Sequence, residues 1–463
     1  MSRAALGALV LAALAGCRAP GSPIDPRFLE ALEWAGRDDA RAAHEPAAAA
    51  WKGVEERKAL TLSDAYHITL SQSERIARAA EGYLQSLTLQ DQALAAVLPT
   101  VGVQASAFFQ DKVRTASSST FFTTTGDREE LRLTVTQPIF HGLQQFAGWR
   151  QSQAAIDQSR AFFETERRLL FQILALAFYN TIFLERQLAI LGDAVKNSGE
   201  RLREMQARQA QGIARKTEVL LIETQVASDE AQLARGRLSL DIARAQVAFL
   251  VGKPVRVPLV DDLLEPGVPA ELAPLVRDAR AGRSDLRERE AALRGSEEAL
   301  AIVSSEHLPS VDFTGNVYAW RRNFSDVGQE TDWDALFTVT FNLFKGGDIR
   351  AREVAAESRN RVARLDRDEL VRQIESEVTR SLFTWRVDQE LIKTLETRQR
   401  TAEENYRQVA TEYRQGIAGV TNLEVLVSQN QALSAQLELE RQKIQSKLDW
   451  FQLENARGRV PVR

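Results

Sequence analysis

Side chains that could catalyse a reaction or bind a metal are few and scattered in this sequence. The histidines His44, His67, His141 and His307 stand far apart, and the last two lie at predicted strand–helix junctions, where a polar turn residue is expected. The sequence contains no HExxH pair, no GxSxG elbow, no P-loop and no GxGxxG turn. It therefore predicts a protein that is not an enzyme, with no catalytic residue, no metal site and no cofactor.

The one cysteine occupies a position that suggests covalent modification. Residues 1–16 carry a basic start, a short apolar run and small residues before Cys17, which are the parts of a secretory signal peptide. The letters LAGC, which end at Cys17, resemble the lipobox at which bacterial lipoproteins are cleaved and acylated. We therefore expect a lipid on Cys17, and Arg18 after it favours the outer membrane by the sorting rule of such lipoproteins. The alternative is an ordinary signal peptide that happens to contain a cysteine.

The composition excludes two classes of protein. The chain has 463 residues and a formal net charge of -4, without the basic excess that nucleic-acid binding requires. No stretch after the signal peptide reaches about 18 consecutive apolar residues, so the sequence predicts no transmembrane helix. If the protein crosses a membrane, it does so with strands.

The sequence contains an internal repeat. LPTV at residue 98 matches LPSV at residue 308, LTVTQPIFHGL matches FTVTFNLFKGG, and ARQAQGIARKTEVL matches YRQGIAGVTNLEVL in the same order. A Pro-rich link separates the two copies, and a loosely ordered lead-in precedes them. The predicted organisation has these parts: signal peptide 1–16, lipidated lead-in 17–59, repeat one 60–256, linker 257–274, repeat two 275–455 and tail 456–463.

Each copy has the same predicted order of helix, strand, loop, strand and two long helices. The long helices carry apolar residues at alternating spacings of four and three from Leu170 to Met205, which is the seam of a coiled coil. Gly212 and Gly416 stand where a helix ends in a left-handed cap, so each pair of long helices forms an antiparallel hairpin. The predicted strands are 101–110, 131–139, 311–321 and 336–343, and the predicted long helices are 144–209, 216–250, 349–414 and 421–455.

The strands alternate between an apolar face and a small, polar face. Val101, Val103 and Ala105 alternate with Gly102 and Gln104, and the other three strands follow the same rule. This pattern over about ten residues is typical of a tilted strand across an outer membrane. Aromatic residues border the two polar loops as an interfacial girdle would, and these are Phe108, Phe109, Phe121, Phe122, Tyr318, Trp320 and Trp333. The alternative is two hairpins of an ordinary soluble sheet.

Four strands cannot close a barrel in lipid. An open sheet edge facing hydrocarbon leaves backbone groups without hydrogen bonds, at several kcal/mol each, and closed barrels begin at about eight strands. The sequence therefore predicts a mainly α protein with a small transmembrane β part that several copies of the chain complete together.

These features resemble the TolC-like outer-membrane efflux proteins. The resemblance rests on LTLSDAYHITLSQSERI at the start, the Leu-Pro pairs before the strands, QPIFHGL with FNLFKGG, and the two glycine turns, and it covers nearly the whole mature chain. It implies a homotrimer with one twelve-stranded β-barrel and an α-barrel tunnel in the periplasm. Such a trimer is a passive exit duct that works with a periplasmic adaptor protein and an inner-membrane pump, and its outer surface contacts outer-membrane lipid.

The resemblance also assigns roles to the turns. It implies that adaptor hairpins dock near the helical tips Gly212-Ile213-Ala214 and Gly416-Ile417-Ala418, and that Glu424 narrows the entrance. Glu424 follows its glycine by two residues more than the family spacing, so a solvated helix residue is an equal alternative for it. The rival interpretation of the whole chain is a lipid-anchored periplasmic coiled-coil structural or adaptor protein without a pore, although the lipoyl-like β domains typical of adaptors are missing from the sequence.

Overall fold

The computed structural model of the chain describes residues 51–52, 54, 58–109, 128–263, 271–323, 333–417 and 419–461. For residue 128 and residues 320–323 it describes the backbone alone. The predicted signal peptide, Cys17, Phe121, Phe122, Ala418 and the side chain of Trp320 therefore lie outside the described part of the chain.

Both copies of the repeat fold into the same series of elements. Repeat one contributes, in chain order, β1 (Leu60–Thr61), α1 (Leu62–Gln72), α2 (Glu74–Ala95), β2 (Thr100–Phe108), β3 (Arg128–His141), α3 (Gln144–Ala210) and α4 (Lys216–Val251). The remainder of the chain contributes β4 (Leu259–Val260), α5 (Leu272–Gly282), α6 (Ser284–Ser304), β5 (Ser310–Asn323), β6 (Trp333–Thr340), α7 (Asp348–Arg414) and α8 (Asn422–Ala456).

The helix that opens repeat one is broken, which the sequence did not predict, whereas the first helix of repeat two was expected over 284–306 and α6 begins at Ser284. We expected one helix over 62–97, but Ser73 is extended and separates α1 from α2. Arg283 is extended in the same way and separates α5 from α6. Helix α5 also begins at Leu272, so the end of the predicted irregular linker 257–274 is helical. The Pro-rich composition misled the prediction there, because the prolines of this segment all precede α5 or lie in its first turn, where proline is tolerated.

The residues divide into two compact units that do not follow the repeats. Residues 81–162 and 284–372 form the sheet unit, which holds β2, β3, β5 and β6. The described residues up to 80, and those within 163–283 and 373–461, form the helical unit, which holds both glycine turns. Each unit draws equivalent parts from both copies. The repeat boundaries themselves stay a prediction from the sequence.

The helical unit is held together by a seam and an aromatic cluster. The predicted seam of α3 is buried or half-buried throughout, with Leu174, Thr181 and Ser198 fully enclosed. Phe171 contacts Tyr66 and Phe451 edge-on, with ring centroids 5.3 and 5.6 Å apart. Strands β1 and β4 pair in parallel beside this cluster's helices, Leu60 opposite Leu259. The alternating spacing in the sequence thus marks the core side of α3.

One helix in the described residues, α3, contains a window apolar enough and long enough to cross a membrane. More than half of that window is buried within the protein, at 56%. The apolar run is therefore accounted for by the seam, since a core helix passes the same test of length and composition.

The sheet unit is a four-stranded antiparallel sheet in the order β2-β3-β5-β6. Thr100 pairs with Thr136 and Phe108 with Arg128 across β2 and β3, and β3 pairs with β5 along 128–141 with two bulges. Within the described residues, β2 and β6 each pair on one side only. The sheet of a single chain is open at both edges.

The predicted end of the last strand was wrong. We expected a strand over 336–343, but β6 runs from Trp333 to Thr340. Thr340 pairs with Ser310, the first residue of β5. Pro309 precedes Ser310 and has no N–H to donate, so residues after Thr340 have no partner and the strand stops.

Helical turns and the candidate channel entrance

The first turn ends α3 with a left-handed glycine. Gly212 has φ 73°, the Ile213 N–H donates to the Arg208 carbonyl at 2.9 Å, and the Gly212 N–H donates to the Gln209 carbonyl at 2.9 Å. These bonds satisfy carbonyl groups at the end of the helix in the manner of a Schellman motif. The turn is short because α4 begins only at Lys216.

The second turn repeats this geometry and then adds residues. Gly416 has φ 72°, and the Ile417 N–H donates to the Glu412 carbonyl at 3.2 Å. A further left-handed glycine, Gly419 with φ 99°, follows before α8 starts at Asn422. The two turns therefore share their glycine stop and differ in how the chain enters the next helix.

Matching glutamates cap the helices that leave the turns. Glu218 accepts from the Arg215 N–H at 2.9 Å, and Glu424 accepts from the Thr421 N–H at 2.6 Å. Thr421 Oγ1 in return accepts from the Glu424 N–H at 3.3 Å, which completes a capping box. Both glutamates occupy the third position of their helix, where negative charge also favours the helix dipole. The carboxylate predicted to narrow the entrance thus has a structural role.

A small apolar core joins the two hairpins behind the turns. It consists of Met205, Val219, Ile222 and Leu426, and Tyr413 packs against it. The Tyr413 hydroxyl lies 3.9 Å from the Met205 sulfur. Residues of both repeats supply this core, so the two turns are held as one structure in the helical unit.

Polar contacts around this core include an arginine that the sequence analysis did not single out. Arg201 of α3 donates to Asn422 Oδ1 at 3.0 Å and to Gln429 Oε1 at 3.4 Å, so it binds α8 through amide oxygens. Burial lowers the pKa of Arg201, because a guanidinium away from water loses solvation. It lines a cleft of about 280 Å³ together with Tyr406 and Tyr413. No spacing rule marks Arg201, since its partners come from the other repeat.

Large apolar side chains are exposed at the tips. Ile213 and Ile417 follow the two glycines and stand in solvent, as do Leu220, Leu423 and Val427 on the helices that begin there. Exposed apolar groups at a turn are unfavourable in water unless another surface covers them. The tips therefore have the character of a contact surface.

The expected aromatic girdle is only partly consistent with the described side chains. Phe108, Phe109 and Trp333 are exposed at the strand ends that border the loops. Tyr318 lies instead on the polar face with 5% of its surface exposed, and its hydroxyl donates to Asp334 Oδ2 at 2.8 Å. The alternation of β5 places Tyr318 on one face with Asn316, as Phe108 shares the parity of Gln104 in β2, and the girdle assignment of both stays a prediction.

The polar face of the sheet is a connected hydrogen-bonded surface. Arg132 donates to Gln104 Oε1 at 2.6 and 3.1 Å, and Asn316 links Thr134 at 2.8 Å to Asp334 at 2.7 Å. The opposite face presents exposed Val101, Val103, Phe337 and Val339. Water on one side and lipid on the other is the environment that fits such a sheet. In the described part of the chain, no cluster of three or more His, Cys, Asp or Glu could hold a metal ion.

A two-faced, open sheet in a chain with two long helical hairpins defines the class of outer-membrane channel subunits. The sequence profile of the outer membrane efflux protein family matches residues 65–253 and 275–459. The chain belongs to this outer membrane efflux protein family, and it is an outer-membrane efflux channel.

Solved structures of channels share the fold at low sequence identity. The outer-membrane channel OprN is 18% identical with a TM-score of 0.76, covering 89% of this chain and 92% of that one. VceC of Vibrio cholerae is 19% identical with a TM-score of 0.74, covering 86% and 96%. CmeC of Campylobacter jejuni is 14% identical with a TM-score of 0.75, covering 86% and 85%. No curated protein sequence matches the chain.

The predicted role of Glu424 in narrowing the channel entrance can be distinguished by experiment from its role as a helix cap. We expect Glu424→Ala to raise amide hydrogen exchange in the first turn of α8 about fivefold, because a lost cap costs about 1 kcal/mol. Glu424→Gln keeps an oxygen that accepts from Thr421 and should leave exchange near that of the wild type.

Glu218→Gln is the matched control, since Glu218 caps α4 in the same way. Glu424 would be identified as an entrance charge if Glu424→Gln changed the single-channel conductance or ion selectivity. In that case amide hydrogen exchange would be unchanged, and Glu218→Gln would leave conductance and selectivity as in the wild type. Equal conductance in the wild type, Glu424→Gln and Glu218→Gln would assign Glu424 to the helix cap alone.

Proposed function

We propose that the chain is one subunit of a passive exit duct that conducts substrates from the periplasm to the exterior in a tripartite efflux or secretion system. The observation that carries this proposal is the sheet, which has an apolar face, a hydrogen-bonded polar face and two open edges. An inner-membrane pump would supply the energy, because no nucleotide-binding motif occurs in the chain.

The open edges of the sheet support a homotrimer. In lipid every backbone N–H and C=O must find a partner within the protein, and β2 and β6 each have one free side among the described residues. Pairing β6 of one copy with β2 of the next extends the sheet, and three copies give the twelve-stranded barrel of the family.

Apolar stripes on the helical unit support the same assembly. On α4, Leu238, Ile242 and Phe249 share one exposed face. On α7, Phe383, Val387 and Leu391 form an exposed ridge at spacings of four, separate from the buried residues of that helix. A cyclic trimer needs two different surfaces that meet head to tail, and these two stripes supply them.

The remaining assignments follow from the family and belong to the same proposal. The tips at Gly212-Ile213-Ala214 and Gly416-Ile417-Ala418 would receive a periplasmic adaptor, which fits the exposed Ile213 and Ile417. Cys17 would carry the lipid anchor in the outer membrane, with the helices in the periplasm. Phe108, Phe109 and Trp333 would lie at the membrane interface.

The experiment that tests this function compares the wild type with Cys17→Ser. We expect both proteins to need detergent for extraction and to give single-channel conductance in planar bilayers, because strands and not the lipid hold the duct in the membrane. Heating before electrophoresis should convert the trimer to monomers in both.

A lipid-anchored protein without a pore would behave differently. It would become soluble once Cys17 is replaced, and it would show no conductance in either form. Either result with well-folded protein would contradict the proposed duct.

A further inference from the structure

Two carboxyl groups face each other inside the second helical hairpin. Asp388 of α7 and Asp449 of α8 are each only 7% exposed, and their side chains lie within hydrogen-bonding distance of one another. Gln442 Nε2 donates to Asp388 Oδ1 at 2.7 Å, and Gln445 Nε2 donates to Asp449 Oδ2 at 3.0 Å. Each acid thus has one amide donor and the other acid as its neighbour.

The hydrogen bonds leave one oxygen without a donor. Asp388 Oδ2 is fully buried and has no hydrogen-bond donor among the described residues. Two ionised carboxylates in contact repel each other strongly in a medium of low dielectric constant, and one proton shared between them relieves this repulsion. A proton on Asp388 Oδ2 would turn this oxygen from an acceptor without a donor into a hydrogen-bond donor.

The surroundings do not neutralise the pair. Trp385 and Trp450 are buried on the same two helices, and Ser446 accepts from Gln389 Nε2 at 2.9 Å. The basic groups of α8 nearest in sequence have other partners, because Lys447 Nζ lies 3.2 Å from Asp261 Oδ2 and Lys443 Nζ 3.7 Å from Glu440 Oε1.

Among its described residues, the segment after β4 brings Asp261, to which the Tyr179 hydroxyl of α3 also donates, and Asp262, which accepts from the Ser63 hydroxyl. On α7, Arg386 lies two residues before Asp388, which places it away from Asp388 around the helix. The charge that acts on Asp388 is that of Asp449.

We propose that Asp388 and Asp449 form a proton-binding lock that holds α7 against α8 and weakens as the medium changes from acidic to neutral. The second turn, 415–421, joins these two helices, so the lock biases the hairpin that carries one of the two tips. The proposal concerns the packing of one hairpin and can be tested without any pore, so its failure is distinct from failure of the proposed duct.

The direction of the pH effect follows from proton linkage. Burial, the Asp449 hydrogen bond and the Asp449 charge together raise the pKa of Asp388 to about 7. An unfolded aspartic acid loses its proton near its ordinary pKa of about 3.9, so between these values the folded protein binds more protons than the unfolded chain. Stability therefore falls as pH rises from about 4 to about 7 and then levels off.

The test uses the full-length protein in detergent and the variant Asp388→Asn. In the wild type we expect amide exchange around the pair in α7 and α8, corrected for intrinsic rates, to rise roughly tenfold or more between pH 5.5 and 8.5. The melting temperature should fall over the same range. Asp388→Asn cannot ionise, and we expect its exchange and melting profiles to be flat.

Two further variants keep the test decisive. Asp449→Asn should flatten the profile in the same way, so a folding defect in one variant does not remove the test. Glu390→Gln, an exposed carboxylate on α7 that pairs with Lys393, should keep the wild-type pH dependence. A pH-independent wild type, or an Asp→Asn variant that follows the wild-type profile, would overturn the lock.

Discussion

Phe337→Arg is expected to abolish insertion of the channel into the outer membrane, whereas Thr338→Arg should insert normally. Phe337 lies on the apolar face in the middle of β6 opposite Phe313, and Thr338 lies on the polar face opposite Asp312. An arginine on the lipid face costs about 2–4 kcal/mol near the bilayer centre, and the proposed trimer would carry three copies of it. The measurement is the amount of heat-modifiable trimer in outer-membrane fractions.

The neighbouring position makes this comparison a matched control. Both residues belong to one edge strand and both are exposed in the single chain. Thr338→Arg places its charge on the water side, near Asp312, and should change conductance and not assembly. Equal insertion of both variants would show that β6 does not face lipid, and it would contradict the membrane assignment of the sheet.

The sequence predicted the periodic parts of this fold. The period of two in VGVQASAF placed Val101 and Val103 on one face of β2, and the alternation of four and three residues placed Leu174 on the buried side of α3. Gly212 and Gly416 marked the turns, because a left-handed backbone favours glycine. These features are local, so residues close together in the sequence determine them.

Features that depend on distant partners could not be predicted in this way. The end of β6 at Thr340 depends on where β5 begins, thirty residues earlier in the chain. The alternation of β5 indicates that Tyr318 shares a face with Asn316, but its partner there, Asp334, lies on the next strand, and no pattern in the sequence marks it.

The candidate site also combines features that the local sequence indicates with features that depend on distant residues. The capping role of Glu424 can be read from TNLE, which has the spacing of a capping box, whereas the entrance role predicted for Glu424 rests on its charge. Arg201 and Asn422 lie 221 positions apart in the sequence. Asp388 and Asp449 match no motif, and their proximity depends on the packing of two helices. Contacts between elements therefore had to come from the structure.

The double substitution Phe383→Glu with Val387→Glu is expected to abolish the proposed trimer while each chain keeps its fold. Both side chains are exposed in the single chain, Val387 at 64%, and they make no part of the buried seam formed by Leu382 and Trp385. Charged groups in an apolar contact between copies lose solvation without gaining a partner, which costs several kcal/mol at each of three interfaces. Light scattering of the purified protein in detergent should therefore report a monomer.

The control keeps the same helix and the same added charge. Thr397→Glu introduces a carboxylate at an exposed polar position of α7, where the Thr397 hydroxyl donates to the Lys393 carbonyl, and the proposed trimer should persist. Circular dichroism of the double variant should retain the wild-type helix signal, because its buried seam is unchanged. A double variant that remains trimeric would remove the α7 stripe from the interface. It would leave the open edges of β2 and β6 as the remaining argument for assembly, since those edges need partners in lipid whatever the helices do.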